Sequence, residues 1–191
     1  MNKKIKQAIE VLRQGGIVIF PTDTAFGIGC RMDIELSVKR LFDIRKRPKE
    51  KALPVLFDSK EKVLDYVWLR SKKVEKIMDR YWPGALTIVL KAKENVPFIV
   101  RGGKDTVGVR VPDHKFLLSI IKDLGIPLLG PSANFSGEDT PFKLSEINKE
   151  LIRKVDFVLE GDTKFKGVST VIDYSGNEWN ILRQGILDIR L

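Results

Sequence analysis

Arg45-Lys46-Arg47-Pro48-Lys49-Glu50-Lys51 joins a helical pattern, with Ile34, Val38, Leu41 and Phe42 on one face, to the strand-like run Ala52-Leu53-Pro54-Val55-Leu56-Phe57. A helix delivered through a short corner into an apolar strand points to an α/β fold. From Lys39 to Lys51 the basic residues Lys39, Arg40, Arg45, Lys46, Arg47, Lys49 and Lys51 meet only Asp43 and Glu50, so this segment carries +5 of the chain's formal +9. A charge run is commonly a solvated helix end. Here Pro48 stiffens the chain and pushes Arg47 away from helical dihedrals, and both flanks read as core. The run therefore reads as a fixed cationic corner, suited to a small polyanion such as a nucleoside triphosphate.

Upstream, Ile5, Ala8, Ile9 and Leu12 fall at helical spacing, so residues 3–14 form a helix stopped by Gly15-Gly16. Ile17-Val18-Ile19-Phe20 is a buried strand ended by Pro21, and Thr22-Asp23-Thr24 places three short polar side chains at its exit. Ala25 to Cys30 is a second, glycine-thinned strand, and Asp33 is the expected cap of the helix that reaches the basic corner. Downstream, strands are expected at 53–57, 85–90 and 106–111, with Ser59 and Ser71 as helix caps. A helix with Phe116, Leu117, Ile120, Ile121 and Leu124 on it ends at Gly125, and Pro127-Leu128-Leu129 enters a loop at Gly130-Pro131-Ser132-Ala133-Asn134. A weak helix at 145–152 precedes strands at 156–159, 168–173, 178–183 and 186–190, with Ser175-Gly176-Asn177 as a hairpin turn. The mixed order predicts one α/β domain over residues 1–191, with a mixed rather than purely parallel sheet.

The 191 residues and 43% hydrophobic content suffice for a proper core. No window is apolar enough to span a bilayer, the N-terminal residues show no secretory core, and the single cysteine excludes an intrachain disulfide. A cytoplasmic location without a membrane is expected. The excess of basic residues favours nucleic acid or phosphorylated small molecules as partners.

Several mechanisms fail on spacing. Gly102-Gly103-Lys104-Asp105-Thr106 lacks the earlier glycine of a phosphate loop, because that position is Phe98. Gly27-Ile28-Gly29 is half a dinucleotide fingerprint, with Met32 at the third position. His114 is the only histidine and reads as structural, and Cys30 reads as a small core residue. What remains is a recurring arrangement of short hydroxyl or amide side chains where apolar strands end: Thr22 and Thr24, Ser132 and Asn134, and Ser169 and Thr170. Each set is ordinary as turn chemistry. In open α/β sheets such ends line the ligand crevice, and with Arg110 and Arg183 they suit carboxylate and phosphate without a nucleophile or a permanent metal.

Seven segments, taken together and in order, resemble the YrdC-type threonylcarbamoyl-AMP synthase family, also called TsaC. They are Phe20 to Cys30; Ile44-Arg45-Lys46-Arg47-Pro48 with Lys51 and Leu53; Trp82 to Thr87; Thr106 to Pro112; Pro131 to Gly137; Ser169 to Asp173; and Leu182-Arg183-Gln184-Gly185. The resemblance covers nearly the whole chain and looks like the family's single-domain form. It implies a twisted mixed β-sheet flanked by helices, with a positively charged concave face. The implied reaction is that of a nucleotidyltransferase, joining L-threonine, bicarbonate and ATP into threonylcarbamoyl-adenylate plus pyrophosphate. That product feeds the N6-threonylcarbamoyl modification of adenosine 37 in tRNA. Arg45, Arg47 and Lys51 are implied as catalytic; Thr22, Thr24, Arg110, Gly130 and Ser169 as threonine-binding; Arg47, Lys51, Thr106, Ser132, Asn134, Thr140 and Arg183 as ATP-binding. Mg²⁺ is expected to arrive with ATP, with no permanently bound cofactor. Partner proteins that use the adenylate, and direct tRNA binding, are further implications.

The chain departs from the family pattern at Arg45, where a lysine is usual, at Ala52 and Gln184, where prolines are usual, and at Leu56, where many relatives have a histidine. Two rival readings stand beside the synthase. One is a module that binds tRNA or double-stranded RNA without catalysis, and the other a paralogue acting on a different carbamoyl or adenylyl substrate.

Overall fold

The computed structural model of the chain describes residues 3–69, 71–176 and 178–189. Helix α1 (Lys3–Arg13) buries Ile5, Ala8, Ile9 and Leu12, the face its spacing predicts. Strands β1 (Val18–Pro21) and β2 (Phe26–Gly29) form an antiparallel hairpin closed by Thr22 to Ala25. Helix α2 (Glu35–Ile44) starts without the Asp33 cap expected from sequence, since Arg31 takes both Asp33 oxygens, at 3.0 and 2.7 Å. Strand β3 (Val55–Leu56) is shorter than the expected 53–57 run. Serines 59 and 71 do cap α3 (Lys60–Leu64) and α4 (Lys72–Tyr81), with β4 (Val67–Trp68) between them.

Strands β5 (Leu86–Ala92) and β6 (Thr106–Arg110) are the antiparallel centre of a seven-stranded sheet ordered β10-β9-β5-β6-β3-β7, with β4 paired to the far end of β5. Helix α5 (Lys115–Leu124) ends at Gly125 as expected, but its Phe116 is 58% exposed and lies off the core face. After β7 (Leu128–Leu129), the expected helix 145–152 is split into a 3₁₀ turn at Leu144–Glu146 and α6 (Lys149–Ile152). Strands β8 (Phe157–Val158), β9 (Thr170–Asp173) and β10 (Asn180–Arg183) follow. Residues 186–189 are not a strand, while Arg190 and the Asn177 position of the hairpin turn lie outside the described residues.

Parallel pairs (β3·β6, β5·β9) and antiparallel pairs (β3·β7, β4·β5, β5·β6, β9·β10) coexist, so the sheet is mixed. A second, three-stranded sheet, β2-β1-β8, stands against it. The two are stitched where β2 meets the segment after β7, by Ile28 N donating to Pro131 O (2.9 Å), Ala133 N to Phe26 O (2.8 Å) and Leu129 N to Cys30 O (3.0 Å). Helices α1 and α5 share one apolar cluster, and α2 and α4 pack with most strands in the other. No helix among the described residues is long and apolar enough to cross a membrane.

Candidate active site

Alternation along the strands separates the two faces of the larger sheet. Leu86, Ile88 and Leu90 on β5, Val107 and Val109 on β6 and Ile172 on β9 belong to the core. Thr87, Val89, Gly108, Arg110 and Val171 take the alternate positions and floor a cavity of about 340 Å³. The turn of the small-sheet hairpin supplies Thr22 and Thr24, the loop after β7 supplies Gly130 and Ser132, and the basic corner supplies Arg45 and Arg47. Thr140, Ser169 and Arg183 complete the wall. Four arginines thus line one cavity, and among the described residues its lining contains no Asp, Glu, Lys or His.

The corner is held as its proline and flanks suggest. Arg47 Nε donates to Lys51 O at 3.1 Å and Nη2 to Ala52 O at 2.8 Å, while Lys51 N returns to Pro48 O at 3.1 Å. Gly102, at φ +58°, allows the loop after Val100 to close on the corner, since a Cβ there would lie 2.5 Å from Glu50 O. Arg45 is 3% exposed and is spent on Asn134, through Nε to its carbonyl and Nη2 to its side-chain oxygen. Its Nη1 is buried without a partner among the described residues. Burial, then the neighbouring charge of Arg47, pushes the Arg45 pKa down to about 10, which still leaves it charged at neutral pH. Burial likewise lowers the values of Arg47 and Arg183, the latter also through Arg110.

On the sheet side, Arg183 Nη2 donates to Ser169 O at 2.8 Å and to Ser169 Oγ at 3.0 Å, and Ser169 Oγ lies 3.0 Å from Thr87 Oγ1. Thr22 Oγ1 donates to Ala25 O at 2.7 Å and accepts from Thr24 N and Ala25 N, each at 3.1 Å, so it shapes the hairpin turn. Arg110 Nε donates to Gly84 O at 2.9 Å, Nη1 to Thr24 Oγ1 at 2.9 Å and Nη2 to Asp23 Oδ1 at 2.6 Å.

The structure gathers Thr22, Thr24, Arg45, Arg47, Arg110, Gly130, Ser132, Thr140, Ser169 and Arg183 around the cavity. Lys51, Thr106 and Asn134 are outside its lining: Lys51 is exposed, Thr106 opens β6 two alternations from Arg110, and Asn134 sits behind Arg45 and Ser132. Lys46 and Lys49 are exposed, as a solvated-charge reading requires, and the Lys46 ammonium sits 4.8 Å over the Phe135 ring. His114 caps α5 by accepting from Leu117 N at 3.4 Å, and Cys30 is fully buried. Sequence reasoning missed Asp23 and Thr87. A lone acid between two threonines in a +9 chain, and a lone hydroxyl in the run Ala85 to Leu90, were the available signals.

The chain as a whole is similar to known proteins in sequence and in structure. The Sua5/YciO/YrdC family model, described as "Telomere recombination", matches residues 10–185. A putative threonylcarbamoyl-AMP synthase of Methanocaldococcus jannaschii is 36% identical over 191 residues, covering 97% of this chain and 89% of that protein. The threonylcarbamoyl-AMP synthase of Pyrococcus abyssi is 35% identical over 189 residues, and this chain spans 55% of its length. The crystal structure of P. abyssi Sua5 complexed with L-threonine superposes with a TM-score of 0.90 at 35% identity, covering 95% of this chain and 54% of that one.

Proposed function

The chain belongs to the Sua5/YciO/YrdC family, and from that premise we propose that it condenses L-threonine, bicarbonate and ATP into threonylcarbamoyl-AMP with release of pyrophosphate. The observation that carries this is the convergence of Arg45, Arg47, Arg110 and Arg183 with the strand-end hydroxyls on one cavity free of acidic side chains. Its substrates include a carboxylate, a bicarbonate and a triphosphate, all anionic, and the cavity offers charge and directed donors to each. The P. abyssi relative whose structure contains L-threonine supports the amino-acid substrate.

In the reaction, the uncharged amine of threonine attacks bicarbonate and water leaves, giving a carbamate. A carbamate oxygen then attacks the α-phosphorus of ATP, and the bond to the β-phosphate oxygen breaks with departure of pyrophosphate. Because the lining contains no carboxylate, imidazole or amine, catalysis here is positioning and charge neutralisation. Arg110, Ser169, Thr22, Thr24 and the Gly130 backbone take threonine. Arg47, Ser132, Thr140 and Arg183 take the nucleotide, and Asn134 orients Arg45 and Ser132 behind them. Mg²⁺ would enter as part of the Mg·ATP substrate.

The product would supply the N6-threonylcarbamoyl group of tRNA adenosine 37 through partner proteins in the cytoplasm, with residues 1–191 acting as one catalytic domain. ATP–pyrophosphate exchange assayed with and without threonine and bicarbonate tests the reading. Dependence on both supports the synthase, dependence on another acceptor assigns a paralogous activity, and no exchange leaves an RNA-binding module. Loss of affinity with rising salt would mark that last case.

A further inference from the structure

Among the described residues Asp23 is the one acidic side chain bonded to a cavity arginine, and the proposed reaction does not use it. It is completely buried, its Oδ1 accepts from Arg110 Nη2 at 2.6 Å, and its Oδ2 accepts from no described residue. Burying a carboxylate and a guanidinium together costs more than a single hydrogen bond returns, so stability alone does not account for the pair. What the pair fixes is direction. Of the five N–H donors of a guanidinium, three of Arg110's are committed: one to Gly84 O ahead of β5, and two to Thr24 and Asp23 on the hairpin turn of the other sheet. Two remain on a side chain that lines the cavity, the number a carboxylate accepts in a bidentate pair.

We propose that Asp23 is a positioning residue for the amino-acid substrate, holding the Arg110 guanidinium across the gap between the two sheets so that its two uncommitted N–H groups meet the substrate carboxylate. This rests on the threonine reading of the cavity. Asp23 is itself outside the cavity lining and acts through Arg110. Its charge also offsets the effect of burial on Arg110, whose pKa is nonetheless lowered.

The test is Asp23→Asn, which keeps an acceptor of the same shape and removes the charge-assisted bond, with threonine and ATP saturation measured separately by pyrophosphate release. The threonine KM is expected to rise about tenfold while the ATP KM stays within about twofold, on the scale of replacing a charged hydrogen bond by a neutral one. An unchanged or lower threonine KM, or an equal rise in both, overturns the assignment. Should Asp23→Asn not fold, Asp23→Glu, which keeps the charge and moves the oxygens by one methylene, is expected to show the same split, and its absence overturns the proposal. Wild-type protein without any threonine dependence overturns the functional reading, and this assignment with it. Wild-type dependence with an unaffected variant overturns the assignment alone.

Discussion

Arg45 grips Asn134 at two points, Nε donating to the backbone carbonyl and Nη2 to Oδ1, each at 3.1 Å, while Ser132 Oγ donates to the same Oδ1 at 2.7 Å. Ser136 N completes the clamp by donating to Arg45 O at 2.8 Å. The end of α2 and the loop after β7 therefore form one wall. Asn134→Ala removes the shared acceptor and leaves a buried guanidinium short of a partner, at a cost of about 2 kcal/mol. For a chain of this length that is a fall in Tm of about 4–8 °C. An ATP KM raised about tenfold should accompany it, and a melting curve superposable on wild type would refute the clamp.

Arg47 braces the corner and lines the cavity, and in the proposed reaction it meets charge on the departing pyrophosphate. Arg47→Ala is expected to lower pyrophosphate release by about a hundredfold or more, the scale of losing one transition-state donor. Lys49→Ala, two residues away and exposed, should stay within about twofold, because solvated charges contribute little. Near-normal turnover by the Arg47 variant would remove it from the chemistry.

The helical faces of α1 and α5, the serine caps of α3 and α4 and the mixed sheet were legible because each follows from local periodicity or capping. Asp33 was misread because capping competes with a nearer partner: Arg31, two residues back, takes both carboxylate oxygens. Phe116 was misread because it directly precedes Leu117 on α5, and only Leu117 faces inward. At the site, hydroxyls at strand ends and the basic corner could be read from spacing, whereas the Asp23–Arg110 pair joins residues 87 positions apart and needed the fold. Periodicity assigns a residue to a face, but pairing across two sheets depends on how those sheets stack.

Gly29 tests the stitching of the two sheets. A Cβ at this position would lie 1.8 Å from Leu129 O, inside the contact that lets β2 run beside β7. Backbone cannot yield there as a flexible side chain would. Gly29→Ala is expected to cost more than about 4 kcal/mol, in the range reserved for disrupted cores, and to abolish soluble expression at growth temperature. Soluble protein with a Tm close to wild type would mean that the sheets can separate cheaply.

Cys30 is fully buried on the β2 side of the core, and burial pushes its pKa up to about 12, opposed by Arg40. The thiolate, the reactive form, is thus scarce as well as shielded. A chromogenic disulfide reagent at pH 8 should leave native protein unmodified and titrate one thiol in denaturant. Rapid reaction of folded protein would contradict the packing of β2.

Asp156 accepts from both Arg40 Nη atoms and from Ile17 N at 2.7 Å, anchoring the start of β8 to the start of β1. The hydrogen bonds from Arg40, followed by the Ile17 amide, hold its pKa below the ordinary carboxylate value against an opposing effect of partial burial. A carboxylate depressed in the folded state adds stability above its unfolded-chain pKa, and this is lost as pH falls through the folded value. With Arg40 and Asp156 side chains 44% and 36% exposed, solvent screening limits the charged contribution to about 1 kcal/mol. Asp156→Asn should therefore be less stable than wild type at neutral pH by about that amount in urea unfolding. The two proteins should converge as the pH is lowered through the acid range. A gap that stays constant with pH would assign the effect to packing rather than to the ionised carboxylate.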